Sequence, residues 1–330
     1  MAPAGRLGRA DRPSARQVHA AARSQLGQVV PPRPAVGLGV AMTSMRGRLK
    51  PGPGPELPPA GLGVDSRGRR WAWLPVLLAG IALFAADQQA IMLTGNLNLV
   101  PSLLLFGTLL VPAPFVIWLD GRRPDYQLPI SVLLMCGLLG GALGTVAASI
   151  LESGSARRFG GTLPTLLIGL IEESAKLMVP IIVLVISRDR AIPADGLLVG
   201  VAVGAGFAVL ETLGYGFVTL LATRGDLVAT ESLLLIRGVL SPAAHIAWTG
   251  LAAAALWHAR ARGWRPSAVA AAVGTFALVV VLHTIWDTYP DWPTFVLVGA
   301  ASLALLIRQT HRDVPHTGHP SGRPRPPAAP

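Results

Sequence analysis

Cysteine and charge are both scarce in this chain of 330 residues. The single cysteine, Cys136, has no intrachain partner, which excludes a disulfide framework and a Cys-rich zinc module. The helical zinc signature HExxH is also absent. Charged residues make up only 14% of the chain while hydrophobic residues make up 52%, which excludes an ordinary soluble globule. The composition instead predicts an all-α, multi-pass membrane helix bundle.

Most of the formal net charge of +11 lies in residues 1–70, where twelve basic residues face three acidic ones. This segment is rich in Pro, Gly and Arg and has no apolar run long enough for a signal peptide. We expect a disordered, basic cytoplasmic tail there and a second short tail at 309–330. A basic arm beside a membrane predicts attraction to anionic lipid, and not binding to nucleic acid. Met42 and Met45 precede a shorter form of the same tail, which leaves the start residue open.

About eight segments are apolar over the roughly 20 residues that a spanning helix needs. Twelve arginines lie in the connections on one side and four on the other, and this bias predicts that both termini are cytoplasmic. Gly140 and Gly144, like Gly200 and Gly204, are four residues apart, which predicts closely packed helices. The predicted spans lie near residues 71–90, 98–119, 129–151, 163–187, 195–222, 239–258, 267–286 and 293–308.

Ionisable side chains lie within four of these spans. Each charge near mid-membrane opposes insertion by roughly 2.5 to 3.5 kcal/mol, so such residues indicate a functional site. A rise of about 1.5 Å per residue puts them at similar depths below the extracytoplasmic end, and we expect them to share one layer. Pro180 and Pro242 predict distorted helices beside this layer. The residues are Glu172, Glu173 and Lys176 on the fourth span, Glu211 on the fifth, His245 on the sixth, and His283 and Asp287 on the seventh.

Spacing within two of these helices predicts contacts. Glu172 and Glu173 lie four and three residues before Lys176, so both can reach it. Because adjacent residues diverge by about 100° around a helix, we expect one glutamate to pair with Lys176 while the other faces a cavity. His283 and Asp287 are four residues apart, so the carboxylate can orient the imidazole or both can reach one metal ion.

Three of these segments carry a resemblance to a known family. The sequence reads Glu-Glu-Ser-Ala-Lys over 172–176, Phe-Ala-Val-Leu-Glu over 207–211 and His-Thr-Ile-Trp-Asp over 283–287. This resembles the PrsW family of intramembrane proteases, whose motifs run EExxK, FxxxE and HxxxD or HxxxN. Residues 237–245 are similar to the family segment that precedes a further histidine. The resemblance implies a transmembrane PrsW-like protease domain over residues 71–308.

The PrsW family is in turn distantly similar to the CAAX prenyl endopeptidases. In that group a Glu with a His activates water, and a His with an Asn holds the oxyanion. In this chain, Glu211 and Asp287 occupy the positions of the His and the Asn that hold the oxyanion in that group. An ionised aspartate cannot donate a hydrogen bond to an oxyanion, so we expect Asp287 to orient His283, bind metal or work protonated.

The resemblance implies an endopeptidase of the plasma membrane that cuts a single-pass protein, such as an anti-sigma factor, near its extracytoplasmic boundary. We expect Glu172 to act as general base, Glu173 to assist it or pair with Lys176, and His245 and His283 to polarise the carbonyl directly or by holding Zn²⁺. The catalytic candidates are Glu172, Glu173, Glu211, His245, His283 and Asp287. Lys176 and Arg237 are supporting residues, and Glu211, His245, His283 and Asp287 are the possible metal ligands.

Two other functions stay open on the sequence. A proton or ion transporter would use the same carboxylates and histidines as a relay, although the charged spans show no inverted duplication of the kind many transporters carry. A non-catalytic scaffold would bind transmembrane helices without cutting them. Within the protease hypothesis, a zinc-dependent mechanism and a metal-free glutamate mechanism both fit the residues.

Overall fold

The computed structural model describes residues 70–122, 128–155, 163–187 and 192–313. These residues form helices, and no strand occurs among them, which confirms the predicted all-α membrane bundle. The tails predicted for 1–70 and 309–330 lie outside the described residues except at residue 70 and at 309–313, which are helical. The ten α-helices within these ranges are α1 (Trp73–Thr94), α2 (Val100–Leu109), α3 (Pro112–Asp120), α4 (Ile130–Ser155), α5 (Leu163–Ile186), α6 (Pro193–Ala222), α7 (Leu227–Leu240), α8 (His245–Ala261), α9 (Pro266–Thr288) and α10 (Trp292–Asp313).

Within the described residues, seven segments are long and apolar enough to cross a membrane. The fourth predicted span, α5, is 24 residues long but carries three charged residues. The last helix ends at Asp313, five residues beyond the predicted end at 308. The seven segments are Trp73–Thr94, Leu97–Asp120, Ile130–Ser153, Pro193–Ala222, Leu227–Ala261, Pro266–Thr288 and Trp292–Asp313.

The sixth predicted span covers residues 239–258, and its predicted start is wrong. Helix begins much earlier, at Leu227, where the Asp226 side chain accepts a hydrogen bond of 3.0 Å from the Ala229 amide and caps α7. The polar residues of α7 interrupt its apolar pattern, so the sequence did not predict this helix. A short 3-10 turn at Ser241–Ala243 then interrupts the segment, and Ala244 leaves the helical region at φ −120° and ψ −115°.

The interruption at Ser241–Ala243 confirms the distortion predicted for Pro242, which has no amide to donate to the preceding turn. Helix α5, in contrast, continues through Pro180. The break leaves His245 as the first residue of α8. It therefore fixes the position of one candidate site residue at a helix end.

Helix α6 forms the centre of the bundle and packs against α4 on one side and α8 on the other. Glycines permit this close approach. A Cβ atom at Gly204 would lie 2.5 Å from the His245 carbonyl oxygen, and one at Gly206 would overlap the carbonyl oxygen of Gly137. The close packing predicted from the spacing of Gly200 and Gly204 is confirmed, since Gly200 also faces the backbone of α8.

Candidate active site

Helix α5 contributes two carboxylates and a cation to the centre of the bundle. Lys176 Nζ donates hydrogen bonds to Glu172 Oε2 at 3.0 Å and to Glu173 Oε1 at 2.8 Å. Both glutamates reach Lys176, as their spacing predicts, so the expected division into one paired and one cavity-facing glutamate does not occur. Lys176 and Glu173 are fully buried, and Glu172 is 7% exposed. Glu172 is therefore the more accessible of the two carboxylates.

Lys176 also reaches a histidine from another helix. Its Nζ lies 2.8 Å from His245 Nδ1 and 4.1 Å from the centre of the Phe207 ring. Because an ammonium group can only donate, Nδ1 of His245 must accept this hydrogen bond. A neutral His245 consequently carries its proton on Nε2.

The second nitrogen of His245 faces Glu211 on α6. His245 Nε2 lies 3.0 Å from Glu211 Oε2, so the proton on Nε2 is donated to this carboxylate. Arg237 Nη2, from α7, donates to the same oxygen at 2.8 Å, and Arg237 Nε donates to Thr212 Oγ1 at 3.3 Å. Arg237 and Glu211 thus hold His245 from the side opposite Lys176.

His283 on α9 is surrounded by three carboxylates. Its Nδ1 lies 2.9 Å from Glu173 Oε1, while its Nε2 lies 3.2 Å from Asp287 Oδ2 and 3.7 Å from Glu172 Oε2. The contact with Asp287 has the geometry expected for a carboxylate that orients an imidazole four residues away. The Asp287 side chain is 34% exposed, against 1% for His283, so Asp287 lies at the open side of the cluster.

Sequence reasoning missed an aromatic partner of the two histidines. The Trp248 ring stacks on His283 at 4.8 Å between centroids and meets His245 edge-on at 5.5 Å. Its Nε1 donates to Ser302 Oγ at 2.9 Å, which fixes the ring. The signal was present in the sequence, because Trp248 lies three residues after His245 and so shares its helix face.

All seven residues predicted for the intramembrane layer meet in one cluster, with Arg237 as an eighth member. Four carboxylates lie beside only two permanent cations, Lys176 and Arg237. With both imidazoles neutral, the cluster has a formal charge of −2. Such a surplus inside a membrane protein favours either protonated histidine or a bound cation.

Three members of the cluster could hold a metal ion. Ligand atoms of Glu172, His245 and His283 all lie within 4.8 Å of one another, and all three residues are buried. Two of the predicted ligands, His245 and His283, belong to this group, and it contains Glu172 where the sequence suggested Glu211 and Asp287. Glu173 on His283 Nδ1 is the kind of outer carboxylate that orients a ligating histidine.

A multi-pass helical bundle with buried carboxylates and imidazoles at its centre defines a class of membrane protein with a functional polar site inside the bilayer. A family model described as PrsW family intramembrane metalloprotease matches residues 128–308. Since this is more than half of the chain, the protein belongs to that family. The match supports a peptidase that acts within the membrane, and helices α1 to α3 lie outside it.

Searches of curated proteins and of solved structures found no match to this chain. The roles of individual site residues consequently rest on their geometry.

Proposed function

We propose that this protein hydrolyses a peptide bond of a single-pass membrane protein near the extracytoplasmic boundary. Glu172 lies nine residues from the start of α5, or about 14 Å along the axis. Asp287 is the penultimate residue of α9. The arginine bias of the connections assigns these helix ends to the extracytoplasmic side. A cluster at this depth is within reach of a substrate helix that unwinds at its outer end.

The observation that carries this proposal is the facing pair Glu172 Oε2 and His283 Nε2. Their separation of 3.7 Å is too long for a direct hydrogen bond, and a water lying beside the pair, about 2.8 Å from each atom, would contact both. Glu172 Oε2 would take a proton from that water as it attacks the scissile carbonyl. Glu172 would pass this proton to Nε2 of His283, and His283 would give it to the departing amine as the C–N bond breaks.

The remaining residues of the cluster position this pair. Glu173 accepts a hydrogen bond from His283 Nδ1 and stabilises the imidazolium when Nε2 is also protonated. Lys176 holds Glu172 and Glu173 at the spacing seen in the structure. Asp287 orients His283 from the open side. His245, held between Lys176 and Glu211, has both nitrogens engaged and so does not polarise the carbonyl in this arrangement.

Glu172, His245 and His283 supply the three carboxylate or imidazole donors that a catalytic zinc site uses. His245 would release Lys176 or Glu211 in order to bind the ion. The formal charge of −2 also suits a divalent cation. When bound, Zn²⁺ would act as a Lewis acid toward the scissile carbonyl. Ligation and proton acceptance compete for the same oxygen of Glu172, so metal content decides which role this residue has.

The substrate class follows from where the site lies. A site within the bilayer selects proteins that present a helix in the membrane. We propose a single-span substrate, such as an anti-sigma factor in the plasma membrane. Many large apolar side chains on α4 and α5 are exposed, including Leu138, Leu143, Ile181 and Val185. These faces meet lipid or an arriving helix.

The test is reconstitution of the purified protein with candidate single-pass substrates. We expect new fragments with the wild type, and a loss of about 10² to 10⁴ in rate with Glu172→Gln or His283→Ala. Ser174→Ala is the matched control, because Ser174 lies on the same turn of α5 but is exposed and bonds only its own helix. The Ser174→Ala variant should cleave the substrate at the wild-type rate.

Three outcomes would contradict parts of this proposal. Intact substrates with every variant, together with ion flux that depends on Glu172, would indicate a transporter and not a protease. A second outcome is that metal analysis finds about one zinc per wild-type chain and none in His245→Ala. That result would assign Glu172 to metal ligation and remove its role as proton acceptor. Activity that survives chelation, with no metal bound, would instead remove zinc.

A further inference from the structure

A cavity lies at the opposite end of the bundle from the candidate active site. It has a volume of about 690 Å³ and is bounded by α8, α9 and α10. It lies where α8 and α10 end and α9 begins, the side at which the arginine bias predicts the cytoplasm. None of its lining residues belongs to the catalytic cluster.

Helix α9 supplies an apolar wall. Its lining residues are Ala268, Ala271, Ala272, Thr275 and Leu278, which recur at the spacing of a single helix face. From Ala268 to Leu278 this face is about 15 Å long, or about half the thickness of a bilayer core. The small side chains near its outer end leave the space that forms the cavity.

Helices α8 and α10 each change from apolar to basic along the same direction. On α8 the lining begins with Leu251 deep in the bundle and ends with Arg262. On α10 it runs from Leu305 through Arg308 to Arg312. The cavity is therefore apolar at its inner end and cationic at its outer end.

The three arginines at the outer end have no ion-pair partner among the described residues, and all three are exposed. The neighbouring carboxylate does not neutralise them, because Asp313 is engaged elsewhere. Its Oδ1 lies 2.8 Å from His258 Nε2 and its Oδ2 accepts from Gln309 Nε2 at 2.9 Å. The Asp313 side chain is only 1% exposed. The charge offered by the arginines remains available to a ligand.

We propose that this cavity binds one anionic glycerophospholipid, with the phosphate at Arg262, Arg308 and Arg312 and an acyl chain along α9. Charge complementarity selects the head group, since basic pockets between membrane helices attract anionic lipids. The apolar wall matches the reach of an acyl chain into one leaflet. A free phosphate ion would leave this wall without a partner, so the occupant is the lipid.

Native mass spectrometry of the full-length, delipidated protein in neutral detergent tests this site. The probes are phosphatidylglycerol, phosphatidylcholine and inorganic phosphate, each added alone. We expect phosphatidylglycerol to bind at least about tenfold more tightly than phosphatidylcholine, and its binding to fall about tenfold or more in the double variant Arg308→Gln, Arg312→Gln. Arg265→Gln is the matched control, because Arg265 is exposed nearby but does not line the cavity.

The apolar half of the site needs its own variant. Ala271→Leu would fill the cavity from α9 without changing its charge, and it should also weaken phosphatidylglycerol binding. Ala270→Leu, on the same helix but outside the lining, should not. All exchanged residues are exposed, and an unchanged thermal midpoint confirms that each variant is folded.

Several results would overturn the proposal. Equal binding of the two lipids would show that the head group is not selected. If Arg265→Gln weakened phosphatidylglycerol binding as much as the double variant does, general surface charge would explain the effect. Full binding by Ala271→Leu, or displacement of the lipid by equimolar inorganic phosphate, would show that the apolar wall holds no acyl chain.

Discussion

Helix α6 at the centre of the bundle and helix α1 at its edge are almost equally apolar, yet 78% of the α6 segment is buried against 11% of the α1 segment. Hydropathy therefore does not distinguish a central membrane helix from one that faces lipid. Glycines do, because α6 carries Gly196, Gly200, Gly204 and Gly206 at contacts with other backbones or with Trp257, whereas α1 has Gly80 alone before its terminus. Close backbone approach, and not apolarity, distinguishes the central helix from the helix at the edge.

Polar contacts differ in the same way between centre and edge. At the edge, Gln88 of α1 donates a single hydrogen bond of 2.7 Å to Glu231 of α7. At the centre, Lys176 has three polar partners from two helices. A change in the centre should therefore disturb several groups at once, and the following predictions test this difference.

The largest effect is expected for Lys176→Met. Removing this cation leaves Glu172 and Glu173 buried with His283 as their remaining polar neighbour, and breaking a buried ion pair costs about 3 to 5 kcal/mol. Thermal unfolding in detergent measures the loss. A loss below about 1 kcal/mol would mean that protonation or bound cations replace Lys176 at little cost.

A smaller but substantial loss is expected for Gly206→Ala in α6. The new methyl group would overlap the Gly137 carbonyl, and forcing helices apart costs about 1 to 3 kcal/mol. Gly80→Ala is the control at the edge, because its nearest neighbour is the flexible end of Leu110 at 3.2 Å. Equal losses at the two positions would remove the distinction between centre and edge.

Gln88→Leu should destabilise the protein by about 1 kcal/mol, the usual size for a single interhelical hydrogen bond in a membrane protein. Glu231 would lose its one hydrogen-bond donor in the described structure. Gln89→Leu serves as control, since Gln89 is exposed. If both variants unfold at the same midpoint as the wild type, the pair contributes nothing measurable.

The smallest effect should have the opposite sign. Gly214 lies in α6, and a methyl group added to its Cα would have no neighbouring atom within 4 Å. Gly214→Ala should therefore raise stability by about 0.5 to 1 kcal/mol through helix propensity alone. The same unfolding assay applies. A destabilised Gly214→Ala would show that membership of the central helix, and not backbone contact, sets the cost of substitution.

Much of the fold was accessible from the sequence, because apolar length and the spacing of charged residues depend on local chemistry. The spans on α4, α6 and α9 were found, and the residues of the cluster were named with their helix faces. Helix α7 was missed, since Thr230, Glu231 and Arg237 make it look like a loop although it packs against α2 and α6.

Partners across helices were harder to predict. The sequence offered Glu211 and Asp287 as metal ligands, but the structure turns Glu211 toward Arg237 and His245 and brings Glu172 to His245 and His283. Which carboxylate meets which imidazole depends on the rotation of each helix about its axis. That rotation is set by the glycine contacts of the whole bundle and not by any one motif.

The complete burial of Lys176 has a practical consequence. Lys50 and Lys176 are the only two lysines in the sequence, and the second has no accessible surface. An amine-reactive reagent should therefore modify Lys176 only when neighbouring helices separate. The rate of its modification would time the transient opening of the bundle, without any need to know what enters.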